Sequence, residues 1–498
     1  MDDIYTELVK IVGDANISKD SKVLESFYKR YSDNFKIKSP KKPNLIVYAT
    51  KSEEIQEVLK LANQLNFSVV AVSSNTKETD TAASAPFTDN TIILDLSKMN
   101  QVLTVDAKNR MCMIEPGVTF DQLIPIAKEA GLRLLTPLLP SAGKSVLTSA
   151  LERAPIIQPR FHWDASDPLL CTEVVFGTGD LFRTGSAAGP GTIEEQRASG
   201  QAQKNPLGPS QFDPFRLIQG AQGSIGIVTW ITLKCELLQD NQKSLYVQAK
   251  NLDNLFNFTY TLLKRRYGDE LFILNALNLA VLLNKTPDKI NKMRSELLPW
   301  TLLIGIGGRG TYGADKIAFL DAELTDIAKE HCIQLLTEIK GVPNSEVINI
   351  FNNCTKDPWR LRYLGECQDI FFITTLDKTP KFVDIMKKNA EKVKIPFDNI
   401  GIYIQPLVQG CNCHCEFDIY YNPSNAQEKQ KAKSLFEAAS VALMENGAFF
   451  SRPYGIWADE MYKRISPQVV DALQKVKSIF DPNNVLHRGA LCFKEVRA

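Results

Sequence analysis

Between Gln409 and Pro423 the chain reads QGCNCHCEFDIYYNP. Cys411, Cys413 and Cys415 occupy alternate positions, and His414 lies between two of them. Thiols and an imidazole are the side chains that ligate soft metals, bond to cofactors or do redox chemistry. The run is strand-like, and in a strand alternate side chains share a face. The three cysteines therefore face one way, and Asn412, His414 and Glu416 the other. The row of three spans about 13 Å at strand rise. Zn–S bonds are only about 2.3 Å long, so one tetrahedral zinc cannot take all three unless the strand bulges. Three readings stay open: thiols lining a pocket, a metal site drawing on His414, Cys411, Cys413 and Cys415, or core packing.

Other residues of chemical interest lie elsewhere. QPRFHWDASDPLL contains His162 and Asp164, an imidazole and a carboxylate suited to proton transfer. FFSRPYGIWADEMY contains Arg452, which pairs well with carboxylates and delocalised anions, and Tyr454, a hydroxyl donor. Arg488 follows His487 near the end and adds a second guanidinium suited to an anionic group. Small-residue turns recur at Pro116-Gly117-Val118, at Pro140, Ser141, Gly143 and Ser145, and at Gly220, Gly223, Ser224 and Gly226, followed by Ile227 and Val228. Such turns let backbone N–H groups come close to a bulky ligand.

These residues belong to a long, ordinary-looking chain. Its 498 residues allow two or three domains with cores of their own, and 44% apolar with 23% charged residues is a globular composition. Lys and Arg nearly balance Asp and Glu, for a formal net charge of +1. A nucleic-acid binder carries a basic excess, so that class is disfavoured. The first twenty residues lack the basic start and apolar run of a signal peptide, and no stretch has the length and apolarity of a membrane span. The expectation is a cytoplasmic protein with scattered, reduced cysteines.

The order of elements follows from periodicity. PNLIVYATKSEEIQEVLKLANQLNFSVVAV reads strand, helix, strand, with Ser52 as helix N-cap. TIILDL and MCMIEPGVTFDQLIPIAKEAG continue the alternation. LLCTEVVFGTGDLFRTG is a hairpin turning at residues 177–180. Residues 185–215, rich in Gly, Pro, Ser and Gln, read as a long surface loop. Beyond residue 240 strands and helices alternate, which predicts an antiparallel or mixed sheet with helices on one face. The pattern changes again near residue 450.

Five stretches, in order, resemble the vanillyl-alcohol oxidase/para-cresol methylhydroxylase family of FAD-linked oxidoreductases. They are the opening strand-helix-strand, ILDLSKMNQVLTVDAKNRMCMIEPGVTFDQL, LLPSAGKSVLTSALERA, LIQGAQGSIGIVTWITLKCEL and FDPNNVLHRGALCF. The resemblance implies an α+β, two-lobed protein. Residues 1–240, completed by 450–498, form a PCMH-type FAD-binding domain, and 241–449 form a ferredoxin-like α+β cap. It implies FAD on the small-residue turns, with Asp164 or His162 as acid or base and Arg452 and Tyr454 on the substrate side. It also implies hydride transfer from an alcohol, a hydroxy acid or a para-substituted phenol. The electrons would pass to an external acceptor: an electron-transfer protein, a cytochrome or oxygen. A homodimer is the expected assembly. The first phosphate loop departs from the family. It reads SSNTKETDTAASAP, without glycine, so Ser73, Ser74, Asn75 and Thr76 are its candidate donors. It also lacks His and Cys, which argues against a covalent flavin link there. Two alternatives follow: a redox-complex subunit that keeps only the fold, and a metal-assisted D-2-hydroxy-acid dehydrogenase, whose branch has a metal-binding histidine on a strand comparable to that of His414.

Overall fold

The computed structural model describes residues 2–74, 79–161, 168–208, 215–339 and 341–494. Up to residue 240 its strands are β1 (Ile17–Ser18), β2 (Leu45–Tyr48), β3 (Ser68–Val72), β4 (Thr91–Asp95), β5 (Val102–Asp106), β6 (Met111–Ile114), β7 (Leu132–Arg133), β8 (Leu169–Phe176), β9 (Leu181–Arg183), β10 (Gly226–Lys234) and β11 (Glu236–Leu237). They form a sheet ordered β1-β2-β4-β3, another ordered β5-β6-β10-β8-β9, and a small β11-β7 pair. β2, β3 and β4 run parallel to one another, as the intervening crossovers require. Helix Ser52–Leu65 supplies the first crossover, and its Ile55, Val58, Leu59 and Ala62 are fully buried on one stripe. Each such aliphatic side chain contributes roughly 1.5–3 kcal/mol by leaving water.

Two local expectations need correcting. The helix N-cap is Lys51, not Ser52, and it makes no capping bond. The carboxylate of Glu54 reaches back to the Thr50 N–H at 2.8 Å, while the Ser52 hydroxyl donates to Glu173. The segment after residue 185 is not an open loop. Its Thr192 and Glu195 form a capping box that starts helix Ile193–Ala198, and the buried Gln196 amide donates to the carbonyls of Ala187 and Gly189.

From residue 241 a second sheet begins. Its strands are β12 (Asn241–Ala249), β13 (Glu270–Asn275), β14 (Trp300–Gly308), β15 (Glu366–Thr374), β16 (Ile400–Leu407) and β17 (Asn412–Tyr421). The order is β12-β14-β13-β16-β17-β15, antiparallel throughout. Helices 256–265, 313–330, 379–392 and 426–445 cover one face. The other face is not bare, contrary to the one-sided expectation. Helix Ala276–Leu283, ALNLAVLL, is apolar on every side but for Asn278, so it must bury every side, and it packs there with helix Asn344–Asn352.

The two lobes are bonded along one seam. The Ala142 N–H donates to the Thr355 carbonyl and the Thr355 N–H to Pro140. Leu271 and Gln409 donate to the carbonyls of Ile157 and Pro159. Arg133 of β7 and Glu270 of β13 form a buried ion pair at 2.6 Å. The seam holds residues 137–157 over the second face of the cap sheet. The C-terminal return closes the first lobe, with Val485 and His487 bonded to Val69 of β3.

Candidate active site

Two cavities meet at Arg452. The first, about 890 Å³ including its open mouth, lies in the first lobe. Ser73 and Ser74 at the end of β3 form one wall, and Pro116 another. Leu147, Thr148 and Leu151, on helix Val146–Leu151, form the floor with Glu152. Gly220, Gly223 and Gly226 with Ile227 and Val228 close the far side. Gly220 has φ +71°, and a Cβ there would stand 2.1 Å from the Arg153 guanidinium. Gly223 has φ +68° with open space where a Cβ would be, which leaves its backbone free to approach a ligand.

Supports behind this wall are built from buried polar groups. The Ser145 hydroxyl donates to the Pro116 carbonyl and accepts from the Thr148 N–H. Lys477 is buried, paired with Asp481, and donates to the carbonyls of Ser224 and Leu486. His487 stands between the carbonyls of Gln222 and Ala85, at 2.7 and 2.9 Å.

The second cavity, about 590 Å³ including its mouth, lies between residues 137–155 and the cap sheet. Pro140, Lys144 and Pro155 belong to its first-lobe side. Asp369 and Phe371 of β15, Tyr403 of β16, Glu416 of β17 and Arg360 belong to its cap side. Most of these charges are already matched. Lys36 bonds Asp369, Lys144 stands 3.2 Å from Glu152, and Arg360 bridges Glu416 and Asp418. Glu416 also takes a bond from the His414 ring at 2.8 Å. Burial, then Arg452 and Arg360, hold His414 well below its usual range, so the ring is neutral. Burial pushes the Tyr403 hydroxyl up, so it stays protonated. Arg452 lies with its guanidinium 3.9 Å from the Phe371 ring centre and lines both cavities. Tyr454 lines the first.

Several sequence candidates find these places and others do not. Ser73, Ser74, Pro116, Gly220, Gly223, Gly226, Ile227, Val228, Arg452 and Tyr454 line the first cavity. Gly117 and Val118 stand behind it. A Cβ on Gly117 would meet the Ser97 carbonyl at 2.5 Å, and Val118 is core. Pro140 lines the second cavity instead, and Ser141 pairs with Thr355 in the seam. Gly143 is exposed, and Ser145 and Ser224 act as supports. Arg488 turns away to Asn66 and Asn484. Asn75, Thr76, His162 and Asp164 lie outside the described residues.

The cysteine row also resolves. Cys413 and Cys415 are fully buried on the helix-covered face, among Phe372, Phe417 and Phe436, and Cys411 is exposed. His414 points the other way, into contact with Glu416, so the four candidate metal ligands do not converge. No cluster of three metal-ligating side chains occurs among the described residues. Arg360, Asp369, Tyr403 and Glu416 were missed. Only the alternation in β17 gave a signal, by setting Glu416 on the face opposite the thiols.

A two-cavity site between a mixed α+β lobe and an antiparallel cap defines a PCMH-type flavoprotein fold. Residues 43–185 match the family model of the FAD binding domain. The chain is 22% identical to the 4-cresol dehydrogenase [hydroxylating] flavoprotein subunit of Pseudomonas putida, over 90% of this chain and 87% of that protein. It is likewise 22% identical to a D-lactate dehydrogenase of Anaerostipes hadrus, over 93% and 92%. Substrate-bound p-cresol methylhydroxylase superposes with a TM-score of 0.75 at 19% identity, over 99% of this chain and 96% of that one. The 4-ethylphenol oxidase of Gulosibacter chungangensis superposes with 0.80 at 16%, over 98% and 96%. The chain therefore carries an FAD binding domain over residues 43–185, and over nearly its whole length it has the fold of, and is similar to, FAD-linked oxidoreductases of the vanillyl-alcohol oxidase/para-cresol methylhydroxylase type.

The first cavity fits the cofactor this implies. Its walls are mostly glycine backbone, serine and threonine hydroxyls and aliphatic side chains, which suit a phosphate chain and a flat ring, and its one lining carboxylate, Glu152, is paired with Lys144 at 3.2 Å. Ser73, Ser74, Thr148 and the 220–228 turn line it and would be the residues to hold that group.

Proposed function

We propose that the chain oxidises a small alcohol, hydroxy acid or para-substituted phenol, with bound FAD supplying the two-electron acceptor. The observation that carries this is Arg452. It is the one side chain shared by the polar cap cavity and the cofactor cavity among their described lining residues. Its neighbours Lys36, Lys144 and Arg360 each have a carboxylate partner, while Arg452 rests on an aromatic face. Among the described residues no carboxylate pairs with Arg452, so an anionic oxygen of the substrate supplies its counter-charge, and charge-assisted bonds to arginine are strong and directional.

Glu416 takes the substrate proton. It faces the cavity, and its two oxygens are oriented by Arg360 and the neutral His414. Tyr403, held protonated, stands at the same wall with its single O–H donated to Gln405 at 3.0 Å, which leaves its oxygen to accept from a ligand. The relatives support both phenol and hydroxy-acid substrates, since their names include a cresol dehydrogenase and a D-lactate dehydrogenase. The deciding experiment is anaerobic mixing of purified holoprotein with lactate-like acids, aromatic alcohols and alkylphenols. Loss of the oxidised-flavin absorbance with one class names the substrate. A colourless protein that takes up no FAD would overturn the reading and favour a subunit that retains only the fold.

A further inference from the structure

The cap sheet carries a second carboxylate that no reaction step above uses. Asp418 follows Glu416 by two positions on β17, so both project from the same face. It is fully buried. Its Oδ1 accepts from Arg360 Nε at 3.1 Å, and Cys367 Sγ lies 3.7 Å from the same oxygen. Its Oδ2 accepts from Asn278 Nδ2 at 2.6 Å, and the Asn278 carbonyl oxygen accepts from the Tyr420 hydroxyl at 2.8 Å. Space is reserved for this amide. Gly401 is the register partner of Asp418, and a Cβ there would stand 1.8 Å from Asn278 Oδ1. A buried charge is costly unless partnered, and a shape-equivalent Asn or Leu would avoid that cost.

The partners explain why a carboxylate is kept. Arg360 has one positive charge and two carboxylates on it: Glu416 on Nη2, facing the cavity, and Asp418 on Nε, facing the core. We propose that Asp418 is a positioning residue for this site: it fixes one edge of the Arg360 guanidinium and so sets how strongly that cation engages Glu416. The inference rests on the reading of Glu416 as the cavity's proton acceptor. Sharing Arg360 leaves Glu416 a weaker hold on the cation, and hence a firmer hold on a proton, than it would have alone. Burial pushes the Asp418 carboxyl up to about 7, partly offset by Arg360, while Glu416, Asn278 and Asp369 make smaller contributions. The arrangement is therefore sensitive to pH near neutrality. Among the described residues, the ionisable groups facing this cluster are His414, Glu416 and Tyr420 on its own strand, Cys367 and Asp369 on β15, Tyr403 on β16, and Arg360, Lys144 and Arg452 from the loops.

A substrate-free measurement tests it. The chain has four histidines, so selective ring-¹⁵N labelling resolves His414, assigned by the signal lost in His414→Gln. Because His414 bonds Glu416 directly, its ring shift follows the Glu416 proton in the FAD-loaded protein. Asp418→Asn keeps the shape and the acceptor oxygen but removes the charge. Above about pH 7, where Asp418 is ionised in the parent, Arg360 then falls to Glu416 alone, and the part of the titration seen at His414 over that range moves down by about one pH unit, tenfold in proton affinity. Asn278→Ala removes the amide that stabilises ionised Asp418 and moves it the same way by less, which covers the case in which Asp418→Asn does not fold. A midpoint unmoved in both variants, or moved upward, overturns the proposal. A shift as expected with no substrate bleaching the flavin would instead leave Asp418 in this role and sink the oxidase reading.

Discussion

The two cavities are walled by opposite means. The first-lobe cavity is made chiefly of backbone turns, hydroxyls and aliphatic side chains, with Glu152 in its floor and Arg452 and Tyr454 at its cap end. The cap cavity is made of ionised side chains arranged in pairs. A wall of backbone imposes shape, and its chemistry comes from what it holds. A wall of paired charges has chemistry of its own, because any ligand that enters redistributes the pairing. The difference predicts that substitutions in the first cavity act on cofactor retention, whereas those in the second act on turnover with the cofactor in place.

Arg452→Met should produce the largest effect. It leaves the aliphatic stem on Phe371 but removes the charge. Flavin reduction by the substrate should fall by about 10²–10³, the usual loss when one preorganised donor is deleted. FAD content, read by absorbance at equal protein concentration, should not change. Glu416→Gln should follow, with a loss of about 10² in reduction rate from a missing proton acceptor. Stopped-flow reduction measures both. Equal loss of FAD in either variant would erase the distinction between the cavities.

Gly220→Ala tests the other wall. The residue needs a left-handed backbone, and a Cβ would overlap the Arg153 guanidinium. Strain of about 1–3 kcal/mol is expected, read as roughly tenfold or weaker FAD binding in a fluorescence titration of apoprotein. Turnover of the fraction that still holds FAD should be near that of the parent.

The same contrast governs what could be read before the fold was known. The first cavity was legible because its turns are local. Gly220, Gly223 and Gly226 announce themselves in ten residues of sequence, and five such stretches in order point to a fold. Even there, the turn at 140–145 was misassigned. Its small residues serve the seam and the supports, while Leu147 and Thr148, without a glycine between them, line the cavity. The cap cavity was nearly silent. Arg360 reaches Glu416 and Asp418 across 56 and 58 residues, and Lys36 reaches Asp369 across 333. No local spacing encodes those pairs. They exist only once β15, β16 and β17 are in register and the seam has set residues 137–157 above them.

Stability should depend on pH through the cap side. Asp418 titrates near 7 when folded and near 3.9 when unfolded. Between those values the folded chain holds a proton that the unfolded chain has released. Stability from this group is therefore present at the acid end and falls as pH rises through the window. Buried, neutral His414 and His487 act oppositely, losing stability as pH falls below about 6.5. They are common to parent and variant and cancel in the difference, which reports Asp418 and the Glu416 coupled to it. Asp418→Asn should gain on the parent as pH goes from 4 to 7, by on the order of 2 kcal/mol, measured by urea unfolding at fixed pH steps. A constant difference across the window would remove Asp418 from the account.

The smallest effects belong to the face of β17 turned from the cavity. Cys415 touches neither cavity and packs among aromatic side chains, where burial pushes its thiol up and keeps it protonated and inert. Cys415→Ala should cost about 1 kcal/mol in stability, a small cavity in a packed core. It should leave flavin reduction unchanged. Cys411→Ser, on an exposed residue, should leave both unchanged, within about 0.5 kcal/mol. Cys411 precedes the strand, in the turn before Asn412, so it is the control, and Cys415, on the face opposite His414, probes whether the strand separates its faces as completely as its register implies. If Cys415→Ala slowed reduction as much as Glu416→Gln, strand position alone would no longer predict role, and the thiols would have to be counted with the charged wall.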